Sequence, residues 1–187
     1  MAQISALDRR ARRIAREIGK LQSFWPDAIV LGTVASIYDA FPYLFTGAFP
    51  RLKEGKLQTF AIASRLYATS IFLHDKIYDK DPNPETQAPP PVHAMRVLAM
   101  QWEAHHLLNQ LFPAGSVFWQ DFRWYLAEFA RACVEEQKFL AGDRTWSDLT
   151  EESALDLARA KNGVGRTTLA GLAATHTYQP IKRTANT

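Results

Sequence analysis

The sequence predicts an all-α protein, an antiparallel bundle of about six helices. Three observations carry that expectation. Apolar residues recur at helical spacing through long segments, as Leu7, Ile14, Ile18 and Leu21 do. No segment alternates apolar and polar residues over strand length, and the chain holds no internal repeat. Proline and glycine collect where the periodic segments stop. With 187 residues, 47% of them hydrophobic and 12% aromatic, the chain is long enough for one sizeable core and too apolar to stay disordered.

The elements follow in order. Residues 5–24 form a basic amphipathic helix, which Trp25-Pro26 breaks. Pro26 and Asp27 suit the first turn of a second, mostly apolar helix over 27–41. Pro42, Gly47 and Pro50 mark a bend, and a long third helix runs over 53–79. Residues 81–92 hold Pro82, Pro84, Pro89, Pro90 and Pro91, so an extended surface loop is expected there. A fourth helix begins at Pro91 or Val92 and ends near Leu111. After the turn Pro113-Ala114-Gly115, Ser116 is placed to cap a fifth helix reaching Leu140. A break at Gly142-Asp143-Arg144-Thr145 precedes a sixth helix from Thr150 to about Thr175. The organisation is therefore one domain over 1–175 and a polar tail, 176–187, expected to be disordered.

Charge and cysteine usage narrow the class. The formal net charge is only +3. Arg9, Arg10, Arg12, Arg13 and Arg16 cluster at the start, and no Asp or Glu follows Asp156 although Arg159, Lys161, Arg166, Lys182 and Arg183 do. These basic ends could meet an anion, but the first helix has few interleaved aromatics, and a solvated helix face is the better account. No nucleic-acid partner is expected. Cys133 is the single cysteine, which leaves no disulfide framework and no thiolate metal site. The first residues lack the apolar run of a signal peptide, and no apolar stretch reaches transmembrane length. A soluble cytoplasmic protein is expected, with a homodimer as the assembly to test.

The most informative segment is Leu73-His74-Asp75-Lys76-Ile77-Tyr78-Asp79-Lys80-Asp81, three carboxylates closing an acid-free run from Phe60 to Leu73. Asp75 and Asp79 stand at i and i+4 on one helix face. Two carboxylates so placed repel, and a divalent cation with a preference for oxygen, such as Mg²⁺, would relieve the repulsion. A solvated helix end neutralised by Lys76 and Lys80 accounts for the same letters. Two further elements bear chemistry: Glu135-Glu136-Gln137 near the end of the fifth helix, and Ala160-Lys161-Asn162-Gly163-Val164-Gly165-Arg166 inside the sixth. Two glycines there each weaken a helix by roughly 1 kcal/mol relative to alanine, so close packing or ligand access must offset them.

Together these residues resemble the trans-isoprenyl diphosphate synthases, members of the class I isoprenoid synthases. Leu73-His74-Asp75 with Ile77 and Asp79 is similar to that family's first aspartate-rich motif, Leu-Ile-His-Asp-Asp, two residues, Asp. Downstream, the family has a Gly-Gln pair, a short polar loop, and a helix carrying Lys-Thr-Gly and small residues. This chain has Glu136-Gln137, then Gly142 to Thr150, then Lys161-Asn162-Gly163 leading into Leu169-Ala170-Gly171-Leu172-Ala173-Ala174. The resemblance spans roughly Phe41 to Ala174. It implies an isoprenoid-synthase-like bundle that binds Mg²⁺ and ionises an allylic prenyl diphosphate, by cyclisation or prenyl transfer. Asp75 and Asp79, with Asp81 beyond, would be the metal ligands and catalytic residues. Lys161, Arg166 and Gln137 would bind the diphosphate, and Tyr67, Phe72 and Phe139 would line the isoprenoid tunnel or simply the core.

The chain departs from the family's pattern. Lys76 stands at the motif's second aspartate, and Asn83-Pro84-Glu85 where the family has an Arg-Arg pair. The second acidic motif that normally follows the lysine helix has no counterpart after Asp156. The chain is also much shorter than the family's. A fragment, a divergent pseudoenzyme inactive as this short chain, and half of a site completed by another subunit all stay open. A non-catalytic helical scaffold or interaction protein derived from that fold is the alternative. Other rivals fail on the letters. A ferritin-like di-iron site needs two Glu-x-x-His motifs and only Glu103 to His106 exists; a His-Asp phosphohydrolase needs a histidine before His74, and none is present.

Overall fold

The structure, a computed structural model, describes residues 2–24, 37–49, 52–79 and 90–177. They form seven α-helices: α1 (Ala2–Phe24), α2 (Ile37–Leu44), α3 (Glu54–Asp79), α4 (Pro90–Leu111), α5 (Val117–Leu140), α6 (Glu151–Lys161) and α7 (Gly163–Thr177), with short 3₁₀ turns at Thr46–Ala48 and Trp146–Asp148. Among the described residues there is no strand, and no helix is long and apolar enough to cross a membrane.

Helix α3 is the centre. From Phe60 to Ile71 nearly every side chain is buried, Arg65 and Ser70 included. A helix apolar on all sides must be surrounded, and α1, α2, α4 and α7 all pack on it. Towards its acidic end His74 is exposed and Asp75 half-buried. Contact order sets the directions. Phe60 meets Phe112 and Tyr67 meets His105, so α4 runs antiparallel to α3. Tyr67 meets Phe122, and Asp75 shares a cation with Glu136, so α5 runs parallel to α3. Helices α6 and α7 return antiparallel to α5.

Tight connections make this possible. At the α4–α5 turn Gly115 takes φ +83°, Phe112 and Phe118 stack at 3.9 Å, and the Trp119 indole N–H donates to the Phe112 carbonyl at 3.1 Å. Ser116 stands at the N-cap position, but its hydroxyl makes no cap bond. After α5, Gly142 takes φ +82° in the left-handed conformation that ends many helices. Trp146 then folds back to stack on Phe139 at 4.6 Å, and Thr150 caps α6 by accepting from the Ser153 N–H at 3.2 Å.

Three expectations change. Pro42 does not end the second helix; it lies fully buried inside α2, where packing offsets the lost N–H bond. The expected start of that helix and the proline loop lie outside the described residues, apart from Pro90, which opens α4, and Pro91 and Val92, exposed in its first turn. The expected sixth helix is two, parted at Asn162, so the bundle has one helix more than the sequence suggested. At the break the chain passes close to α5: a Cβ on Gly163 would sit 3.3 Å from the Tyr125 carbonyl oxygen and 3.4 Å from Phe129 Cβ, a tight fit that glycine avoids. Gly171 is tighter still, since a Cβ there would overlap the Phe60 ring. Helix α7 runs on to Thr177, and the rest of the expected tail lies outside the described residues.

Candidate functional site

Where α3 ends, α5 passes and α6 stops, three charged side chains meet. The Lys161 ammonium donates to Asp75 Oδ1 at 3.0 Å and to Glu136 Oε2. Asp75 comes from the last turns of α3, Glu136 from the last turns of α5, and Lys161 from the last turn of α6. Lys161 is the last residue of α6, and the break at Asn162 follows it directly. Its side chain is 24% exposed. Burial works against the ammonium, but hydrogen bonds and charge from Glu136 and Asp75 outweigh it and hold Lys161 above its ordinary value. Among the described side chains, two carboxylates around one lysine leave the corner with a formal charge of −1.

Beside the corner lies a cavity of about 280 Å³ between α3, α4 and α5. Its wall is mainly apolar, with Ile71, Leu126, Phe129, Ala130, Cys133 and Val134, and His74, Gln101 and Gln137 bring polar groups to it. Ile71 precedes Asp75 by one helical turn and Cys133 precedes Glu136 by nearly one, so cavity and charged corner adjoin along both helices. A small concave apolar space with a few convergent polar groups is the usual form of a ligand site.

The residues singled out from sequence divide into groups. Asp75 and Lys161 touch, and Gln137 lines the adjoining cavity. Arg166 lies elsewhere: it donates to Glu128 at 2.6 Å, stacks 4.2 Å over the Tyr125 ring, and lines an open groove between α5 and α6. Asp79 belongs to the last turn of α3, but its side chain, like the whole of Asp81, lies outside what is described. Of the tunnel candidates, Tyr67 and Phe139 are buried core residues and Phe72 is half-exposed; the aromatic on the cavity wall is Phe129. Glu103 is buried and His106 exposed, so that Glu-x-x-His pair is split between two sides of α4.

Two corrections concern the acidic cluster. Asp75 has a salt partner from another helix, Lys161 of α6. The charged corner also holds a second carboxylate, supplied from α5 by Glu136. Sequence reasoning passed over Glu136 as half of a motif match. The available signal was two adjacent acids near a helix end: Glu135 is taken by Lys138 at 2.8 Å and by Arg144, which leaves Glu136 to turn inward. Among the described residues no three His, Cys, Asp or Glu side chains group closely enough to hold a metal ion. Comparison with family models, curated proteins and solved structures finds nothing that matches this chain.

Proposed function

We propose that the corner of Asp75 and Lys161 binds the diphosphate of an allylic prenyl diphosphate with Mg²⁺, the first isoprene units entering the adjoining apolar cavity. One observation carries the reading: Asp75 and Lys161 are 86 residues apart in the chain, yet their charged groups meet at 3.0 Å. They are also the residues on which the resemblance to isoprenoid synthases rests. A metal–diphosphate ligand needs a metal-binding carboxylate and a fixed cation within reach of the same oxygens. The donor chemistry fits, because Mg²⁺ keeps several waters and takes one or two carboxylates together with phosphate oxygens. Asp75 would hold it, with Asp79 and Asp81 as the further candidates. When bound, Mg²⁺ supplies the positive charge that draws a diphosphate from an allylic carbon. Lys161 holds diphosphate oxygens as a point charge, Gln137 offers amide donors from the cavity wall, and the apolar side chains exclude water from the tail.

Binding is what these groups support. Ionisation needs the leaving charge neutralised from several directions, and Lys161 is one cation against two carboxylates. Asp75→Asn should abolish Mg²⁺-dependent binding of inorganic diphosphate, read by calorimetry, while the fold persists because Lys161 keeps Glu136. Parent-like binding by that variant would reduce the acidic cluster to a solvated helix end.

A second reading, a non-catalytic helical scaffold, is favoured by one feature of α4. Met95, Leu98 and Trp102 are 61%, 55% and 67% exposed at i, i+3 and i+7 on one face. Contiguous apolar exposure of this kind marks interaction surfaces. A scaffold would show no Mg²⁺-dependent protection by diphosphate.

A further inference from the structure

We infer that Glu136 is an internal competitor for the Lys161 ammonium, an autoinhibitory contact that sets how tightly the corner takes an anion. The inference rests on the diphosphate reading above and concerns the one charged residue of the corner to which that reading gives no work.

The argument is one of occupancy. An ammonium has three donors. Asp75 and Glu136 take two of them, and the surrounding helices leave only about a quarter of the Lys161 side chain exposed. A diphosphate oxygen that reaches this ammonium must share it with, or displace, one of those carboxylates. Asp75 is retained in the reading as the metal ligand. Among the described side chains one N–H stays free for a phosphate oxygen, and Glu136 is then the carboxylate that competes with it for the ammonium's charge. Its Cα is fixed beside the corner, because α5 is held by buried Ala132 and Phe139 on the turns before and after it. Its neighbour offers no relief, since the nearby cations Lys138 and Arg144 are engaged by Glu135. Its charge remains within a few ångströms of any incoming anion. A like charge at that range raises the energy of the bound state whether or not the hydrogen bond breaks.

Removing that charge while keeping the shape should open the corner. Glu136→Gln leaves Lys161 paired to Asp75 and deletes one charge-assisted contact, so inorganic diphosphate in Mg²⁺ should bind about tenfold more tightly. The experiment is a calorimetric titration of inorganic diphosphate, at fixed Mg²⁺, into the parent chain, Glu136→Gln, Glu136→Asp and Lys161→Met. Tighter binding by Glu136→Gln, with Glu136→Asp close to the parent and Lys161→Met without binding, is the expected pattern. A merely structural role would weaken binding, not strengthen it. If Lys161→Met loses binding but Glu136→Gln gains nothing, the competitor idea is overturned and the diphosphate reading stands. If Glu136→Gln binds less tightly, Glu136 is itself a ligand or support, and the inference again falls. If neither the parent nor any variant binds, the diphosphate reading fails and takes this one with it. Should Glu136→Gln not fold, Glu136→Ala is held to the same expectations.

Discussion

Lys161 and Arg166 leave the same broken helix five residues apart, and each reaches a carboxylate of α5, yet they build different things. Arg166 meets Glu128 and lies over Tyr125: one cation, one anion and an aromatic face, a locally neutral pair beside an open groove. Lys161 meets Glu136 and also Asp75 of α3, so it ties three helices together, carries an excess of acid, and stands next to a small, mainly apolar cavity. Glu128 and Glu136 are eight residues apart, about 12 Å along the helix, so one ligand-sized site does not include both pairs. An interhelical ion pair by itself says little. What singles out the Lys161 corner is surplus charge of one sign beside a cavity.

The largest expected effect contrasts the two cations directly. Lys161→Met leaves two partly buried carboxylates facing each other without a counter-ion and should destabilise the fold by about 2–3 kcal/mol. Arg166→Met strands one carboxylate only and should cost about 1 kcal/mol. Urea denaturation measures both, and an equal or larger loss for Arg166 would dissolve the distinction.

Next come the glycines that fix where the broken helix sits. Gly171→Ala would force a methyl group into the buried Phe60 ring and should destabilise by about 1–3 kcal/mol. Gly165→Ala meets only the Asn162 side-chain amide, which can turn aside, so improved helix propensity should leave it neutral or up to about 1 kcal/mol more stable. The reverse order in thermal melts would mean that packing of Gly171 against Phe60 does not fix where α7 sits.

The smallest effect is one of pH. Lys161 is raised above its ordinary 10.5, so its contribution to stability is complete below that value and is lost as pH rises through the raised one. Arginine does not titrate in this range. Tyr43, pushed up to about 12 mainly by burial and next by the Glu54 charge, and Tyr67, raised by burial, lose stability in the same direction. The lysine part is therefore the difference between parent and Lys161→Met. That difference should shrink between pH 10 and 12, whereas the difference between parent and Arg166→Met should stay level.

Much of this was legible in the letters, and the parts that were not share a cause. The all-helical class and the starts of α4, α5 and α6 followed from periodicity, turn residues and caps, which are local. The Asn162 break was only half legible: Asn162, Gly163 and Gly165 weaken a helix there, but the close approach of Gly163 to Tyr125 and Phe129 comes from a distant part of the chain. Pro42 read as a stop because the burial that compensates for it comes from distant residues. Asp75 and Lys161 were both picked out, but their direct contact and the part of Glu136 depend on the parallel run of α3 and α5, a long-range fact with no sequence period. Lys161 and Arg166 looked alike for the same reason.

On the proposed function the Lys161 corner, and not the Arg166 pair, takes diphosphate with Mg²⁺. Calorimetric titration of inorganic diphosphate into the parent chain, Lys161→Met and Arg166→Met, each with and without Mg²⁺, tests it most directly. The account predicts binding by the parent only when Mg²⁺ is present, the same binding by Arg166→Met, and none by Lys161→Met. Parent-like binding by Lys161→Met, or none by the parent in Mg²⁺, would contradict it.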